Sequence, residues 1–317
     1  MDNQPDVSHL RAWLMAIRPQ SLPAGASPVI VGVGLAIHDS VFAVGPAVAA
    51  LLGALFLQIG SNFTNDYYDA IRGADTEDRE GFQRVTQSGL ISPTCVRRAM
   101  YVAFSLATLV GVYLVYVGGV PILVVGILSI LAGFAYTGGP YPFGYHGLGD
   151  LFVFVFFGLI AVTGTYYVQA VSTVATARLI PVTVPAGTVT VAAVVASIPA
   201  AALSTNILVV NNIRDLKTDR KTGKETLAVK IGYRWSRIEY AALLVLAYLV
   251  PLVFAGMWES VFPLAPLLTA PLGWQLWITV RDETTGAALN PALERTGKLF
   301  LAFSLLFAVG LAAPSFF

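Results

Sequence analysis

The chain has 317 residues, 56% of them hydrophobic and only 12% charged, with a mean hydropathy of +0.73. A soluble domain carries roughly a quarter charged residues, so the composition excludes an ordinary water-soluble globule and points to a membrane protein. The net charge of +1 gives no electrostatic footprint for nucleic acid, and the single cysteine, Cys95, excludes both an intrachain disulfide and a cysteine-built metal site.

In chain order, residues 1–20 carry acids and lack an apolar stretch before Pro19. They read as a short interfacial segment, not as a signal peptide. Nine stretches follow that are long and apolar enough to cross a ~30 Å hydrocarbon core as helices. They are 21–38, 44–66, 95–117, 120–137, 148–172, 187–212, 236–256, 261–280 and 297–314. Their apolar runs are continuous and not alternating, which argues against barrel strands. The expected architecture is an all-α integral membrane protein with one domain over 1–317.

Orientation follows from the cations. Eighteen of the 19 Lys and Arg residues fall on the side of the N-terminus, and only Arg178 falls on the other. By the positive-inside rule the N-terminus is cytoplasmic and the C-terminus external; the expected location is the cell membrane, multi-pass, with the active site facing the cytoplasm. The acids follow the same side, with only Asp39 and Glu259 expected outside. Acids contribute little to topology, so their concentration needs another cause.

Two cytoplasmic connections, 66–94 and 213–235, hold most of them. Each begins at a polar helix end. Span 2 ends "SNFTNDYYDAIRGAD" and span 6 ends "STNILVVNNIRDLKTDRKTGKET". Asn62, Asp66 and Asp69 fall on one helix face, and Asn211, Asp215 and Asp219 share another. Either motif alone matches a solvated helix flank. Two of them on one side, against an outer surface almost free of acids, do not. Four clustered carboxylates repel, and a divalent cation relieves the conflict. Oxygen donors without Cys or His suit Mg²⁺, which takes one or two carboxylates plus substrate phosphates. Arg72, Arg214, Lys217, Arg220, Lys221 and Lys224 interleave with the acids. A diphosphate held between metal and cations satisfies both sets. Beside apolar helices its organic part is a lipid tail, hence a polyprenyl diphosphate.

The stretches "NDYYDAIRGADT" and "NNIRDLKTDRKTGKETLAVKIG" resemble the two aspartate-rich motifs of the UbiA-type intramembrane aromatic prenyltransferases. The likeness is strongest to the branch that prenylates 1,4-dihydroxy-2-naphthoate in menaquinone biosynthesis. It extends to "RPQSLPAGASPVIVG" and to residues 136–169, "YTGGPYPFGYHGLGDLFVFVFFGLIAVTGTYYVQ". The resemblance implies a nine-helix bundle around a central cavity capped by cytoplasmic loops. It implies Mg²⁺, expected as two ions, held by Asp66, Asp69, Asp215 and Asp219 as the catalytic set. The superfamily pattern has another Asp four residues after Asp69, where this chain has Gly73; Asp75 follows two positions on, as in the menaquinone branch.

The substrate-facing set read from the motifs and their flanks is Asn62, Asn65, Tyr68, Arg72, Asp75, Asn211, Asn212, Arg214, Lys217, Lys221 and Lys224. Arg18, Tyr136 and Asp150 join it. Arg18 is a candidate for the acceptor's carboxylate and Asp150 for its hydroxyls. The expected chemistry is ionisation of the allylic diphosphate, attack by an electron-rich naphthol ring and loss of CO₂. Phe63, Tyr67, Tyr68, Tyr136, Tyr166 and Tyr167 are the aromatic candidates for stabilising the cation. Other aromatic acceptors (4-hydroxybenzoate, homogentisate), a cation transporter and a non-catalytic quinone scaffold remain the competing readings.

Overall fold

A computed structural model describes residues 7–73, 81–174 and 181–316, and among these there is no β-strand. Asp75 lies outside the described residues. The helices are α1 (His9–Ile17), α2 (Leu22–His38), α3 (Val44–Ile71), α4 (Pro93–Ala135), α5 (Gly149–Val153), α6 (Ala161–Val174), α7 (Val191–Lys221), α8 (Leu227–Trp258), α9 (Ala270–Asp282) and α10 (Gly286–Ala312). A π-helical stretch, Phe154–Ile160, joins α5 to α6. Several starts are capped as the sequence dictates. The hydroxyls of Ser8, Ser92, Thr190 and Thr226 accept from backbone N–H groups three residues on, and Pro93 occupies the first turn of α4.

Among the described residues, seven helical stretches are long and apolar enough to cross a membrane: His9–His38, Val44–Ile71, Pro93–Ala135, Gly149–Thr173, Val191–Lys221, Leu227–Trp258 and Gly286–Ser315. Spans 95–117 and 120–137 therefore fall within one helix, α4. Its 43 residues would extend about 64 Å if straight, twice the hydrocarbon core. They are not straight. Gly119 adopts φ 70°, ψ −156°, and the N–H of Val120 donates to Pro181 O at 2.8 Å. The two arms fold back on each other. Met100 and Phe104 of the first arm pack with Ile130 and Phe134 of the second. A Cβ on Gly119 would stand 2.0 Å from Pro181 O, so the reversal requires glycine both for its positive φ and for space.

The stretch 261–280 is also less regular than expected. Phe262–Thr269 is a 3₁₀-helix, and the α-helix begins only at Ala270. Pro263 and Pro266 supply no backbone N–H there, which disfavours α-helical bonding. The connection 213–235 is mostly helix. Only 222–226 separates α7 from α8, with a kink at Gly232.

α7 is the most enclosed of these helices. It packs against α8, α10 and the π-helical stretch. Its small residues permit the approach: a Cβ on Gly158 would stand 2.1 Å from Ala201 Cα. Tyr240, Phe254, Phe300, Phe303 and Phe307 fill the core between α8 and α10. At the end where the acids gather, α1 lies across α3 with Ala12 and Ala16 buried and Leu10 and Leu14 exposed. The chain after residue 80 turns under it, so that Val85 and Ile91 join Phe63 and Met100 in a second apolar cluster.

Gly158→Val should therefore lower the thermal midpoint of the detergent-purified protein by the equivalent of at least ~1–3 kcal/mol, because backbone must move to admit it. Gly256→Ala, with nothing within 4 Å, should stay level or gain up to ~1 kcal/mol. Equal melting of the two variants would contradict the tight contact between Gly158 and α7.

Candidate active site

α3 carries its polar residues beyond the apolar run, on the last three turns. Asn62 Nδ2 donates to Ile17 O and Ser21 Oγ, both at 2.8 Å, and so ties α3 to the junction of α1 and α2. Asn65 Oδ1 accepts from the Thr137 hydroxyl at 2.9 Å. Asp66 accepts from the Thr86 hydroxyl at 2.7 Å and from its N–H at 3.3 Å, with Arg18 3.8 Å from the other oxygen. Asp69 accepts from the Tyr145 hydroxyl at 2.8 Å and faces Arg84 at 3.5 Å.

α7 brings the second set. Arg214 donates to both oxygens of Asp215, at 2.8 and 2.7 Å. The same guanidinium donates to Asn211 and Asn290 at 2.8 Å each and lies 5.9 Å from the centre of the Phe82 ring. Asp219 is buried, and its carbonyl accepts from Lys224 N at 2.9 Å, closing the turn after α7. The four aspartates are 1, 2, 4 and 8% exposed in chain order. Buried carboxylates demand compensating charge, and guanidinium groups supply it to Asp66, Asp69 and Asp215.

Both sets meet at one cavity of about 570 Å³. Its rim is polar. Arg18, Asn62, Asn65, Asp69 and Arg84 contribute from one side, and Asn211, Asn212, Arg214 and Lys224 from the other. Four cations and one carboxylate line this mouth, and three of the cations, Arg18, Arg84 and Arg214, also face the buried Asp66, Asp69 and Asp215. The body is apolar, walled by Leu57, Val115, Ile127, Ile160 and Val168 together with Phe152, Phe156 and Phe157. Both arms of α4 contribute to the wall, and so does the π-helical stretch, an irregularity that recurs at functional sites.

Other expected residues fall elsewhere. Arg72 donates to Thr137 O and, at 2.5 Å, to Gly139 O, so its charge holds a loop and does not line the cavity. Lys217 and Lys221 are exposed and outside the cavity wall, because α7 turns them to the opposite face. Tyr68 packs edge-on against Phe134. Arg18 lines the rim, but the carboxylate it approaches is the chain's own Asp66. Asp150 is buried and off the cavity lining, and its Oδ2 has no hydrogen-bond partner among the described residues. Of the aromatic candidates only Tyr136 lines the cavity. Tyr166 donates to Asp39 at 2.6 Å and Tyr167 to Gly118 O at 2.8 Å, far along the chain from the motifs. The phenylalanines of the wall take their place.

The expected four-carboxylate cluster is not a single cage. Among the described residues no three His, Cys, Asp or Glu side chains approach closely enough to hold a metal together. The donor set still fits Mg²⁺. It is all oxygen, buried, and arranged as a pair on each helix, with Asp69 facing the cavity. Mg²⁺ draws its remaining ligands from water and phosphate.

Sequence reasoning missed Arg84, Phe82, Thr86 and Tyr145. A signal existed: Phe82 and Val85 are apolar residues flanking Arg84 inside a charged connection, which marks a segment that folds back.

A family model described as the UbiA prenyltransferase family matches residues 26–303. The chain is 37% identical to the 1,4-dihydroxy-2-naphthoate octaprenyltransferase of Escherichia coli (strain K12), over 97% of each chain. It is 36% identical to the protein of the same name from Mycobacterium tuberculosis, over 95% of this chain and 96% of that one. Human UbiA prenyltransferase domain-containing protein 1 is 32% identical over 95% of this chain and 83% of its own length. In fold, the apo structure of a UbiA homolog from Aeropyrum pernix K1 superposes with TM-score 0.66 at 15% identity, over 92% of this chain and 97% of that one. A UbiA homolog from Archaeoglobus fulgidus bound to GPP and Mg²⁺ gives 0.58 at 18%, over 94 and 100%. With its two Asn/Asp helix ends at the mouth of one apolar cavity, the chain belongs to the UbiA prenyltransferase family.

Proposed function

We propose that the protein transfers a polyprenyl group from its diphosphate to a ring carbon of 1,4-dihydroxy-2-naphthoate, with loss of CO₂ and release of diphosphate, to give demethylmenaquinol, the reduced form of demethylmenaquinone. One observation carries this reading: the Asn/Asp-bearing ends of α3 and α7, distant in sequence, contribute Asn62, Asn65 and Asp69, and Asn211, Asn212 and Arg214, to one rim over an apolar cavity, with Arg18, Arg84 and Lys224 beside them. The names of the full-length relatives support the naphthoate acceptor. Against the competing transporter reading, among the described residues the carboxylate that lines the cavity is Asp69, at the rim and not in the body.

In this reading the chain is one domain of nine membrane crossings with its N-terminus and active site cytoplasmic. The reversal in α4 and the 3₁₀ start of the segment before α9 support a count of nine. The helices support a multi-pass protein, which we place in the cell membrane, and the distribution of Lys and Arg supports a cytoplasmic N-terminus.

The residues divide the work. Arg18, Arg84, Arg214 and Lys224 hold the diphosphate and stabilise charge on it as it leaves. Asp66 and Asp69 on one side, and Asp215 and Asp219 on the other, would hold Mg²⁺, one ion for each pair. The metal supplies Lewis-acid stabilisation of the leaving group. Asn211 accepts from and orients the Arg214 guanidinium, while Asn62, through Ile17 and Ser21, and Asn65, through Thr137, fix the end of α3, and Asn212 lines the cavity. The tail lies in the apolar body. When the allylic C1–O bond breaks, Phe152, Phe156, Phe157 and Tyr136 can face the cation with π density. The same walls exclude water, which would quench it. The acceptor ring forms the new carbon–carbon bond and its carboxylate departs as CO₂.

Membranes containing the chain, incubated with Mg²⁺, geranylgeranyl diphosphate and dihydroxynaphthoate, should yield the prenylated, decarboxylated naphthoquinol by mass spectrometry. EDTA should abolish it, and 4-hydroxybenzoate should not replace the acceptor. A product from 4-hydroxybenzoate alone would reassign the acceptor, and metal-driven ion uptake without any product would reverse the class.

Variants separate the rim residues by kinetics. Arg84→Ala removes a charged contact worth ~1.5–3 kcal/mol and should raise KM for the diphosphate about 10- to 100-fold while KM for the acceptor holds. Lys217→Ala should stay within about twofold of the parent, since exposed charges contribute little. The reverse ranking would remove Arg84 from the site.

A further inference from the structure

Tyr145 was not among the residues read from the motifs. It ends the 3₁₀ turn Phe143–Tyr145 in the connection between α4 and α5. Its hydroxyl donates to Asp69 Oδ1 at 2.8 Å. Its ring has two cations against it, Lys224 Nζ 5.1 Å and Arg72 Cζ 5.4 Å from the centroid. Its carbonyl accepts from Glu225 N at 3.0 Å. One side chain and its backbone therefore touch both acidic motifs: α3 through Asp69 and Arg72, and the turn after α7 through Lys224 and Glu225.

The placement of the partners gives these contacts meaning. Asp69 and Lys224 both line the cavity. Tyr145 does not. It faces a cleft outside the rim, shared with Arg72, His146 and Glu225. Tyr145 thus stands behind two groups of opposite charge that face the same volume. A hydroxyl proton given to a carboxylate oxygen sets that carboxylate's rotation. An aromatic face beside an ammonium group restrains the direction of its flexible four-carbon stem. The two restraints act on different groups, and they can be removed separately.

We infer that Tyr145 is a positioning residue that couples the two halves of the diphosphate site, its hydroxyl orienting Asp69 and its ring holding Lys224 toward the same bound diphosphate. The inference rests on the proposed prenyl-transfer reading for its substrate, but its geometry requires only a diphosphate.

Two variants dissect it. Tyr145→Phe keeps the ring and deletes the hydroxyl. Tyr145→Leu deletes both. The Phe variant should need about fivefold more Mg²⁺ for half-maximal activity, the scale of one lost hydrogen bond, with KM for geranylgeranyl diphosphate within about twofold at saturating metal. The Leu variant should add a rise of about tenfold in that KM, the scale of lost cation–π contacts. Calorimetric titration with inorganic pyrophosphate in EDTA reads the ring's part without turnover. The parent and Tyr145→Phe should bind alike, and Tyr145→Leu about tenfold more weakly. Phe and Leu variants that match each other in both measurements would overturn the inference. If the Leu variant does not fold, an unshifted Mg²⁺ requirement in the Phe variant overturns it alone. A parent that makes no product from naphthoate but shows the pyrophosphate pattern would defeat the proposed acceptor and leave Tyr145's role standing.

Discussion

Carboxylates buried at the mouth of an apolar cavity are the constraint on which the rest of the structure depends. Each would cost several kcal/mol to strip of water without a partner. α3 and α7 each present two, and the surrounding chain is arranged to answer them. Arg18 arrives from the junction of α1 and α2, Arg84 from the segment folded under α1, and Arg214 from α7 itself. Breaking such a buried pair is costly because one charge is left alone. The loops over the rim are thereby held by the same charges that a diphosphate and its metal would engage.

A second constraint follows from the first. A polar mouth must open onto an apolar body, and bundle helices must leave room for it. The glycine break in α4, the π-helical stretch and the Gly158–Ala201 contact meet this need. Close contact is made on the α7 side, where small residues let backbones approach. The cavity is bounded by α2, α3, both arms of α4, the π-helical stretch, α6 and α7, whose facing residues line it.

Much of this was legible in the sequence because the bilayer is a stringent solvent. Apolar runs of the right length could hardly be anything but helices. The boundary between 117 and 120 fell on the Gly118–Gly119 reversal for the same reason. The motifs were legible because acids are costly where they stand. Individual side chains were less so. Arg72 and Arg84 sit in one connection, and which of them reaches the cavity depends on the fold of 81–92, set by Val85 and Ile91 packing under α1. Tyr166 and Tyr167 looked suited to a cation, but helix rotation and depth put them against Asp39 and Gly118. Pro263 and Pro266 left the apolar pattern intact while changing the backbone that carries it.

The most direct test of the central claim is an experimental structure of the protein with Mg²⁺ and a non-hydrolysable geranylgeranyl thiolodiphosphate. The account expects the diphosphate between the Asn62–Asp69 end of α3 and the Asn211–Asp219 end of α7, with Arg84 and Arg214 on it and the tail among Phe152, Phe156 and Phe157. A diphosphate bound away from either helix end, or a tail outside the cavity, would contradict it.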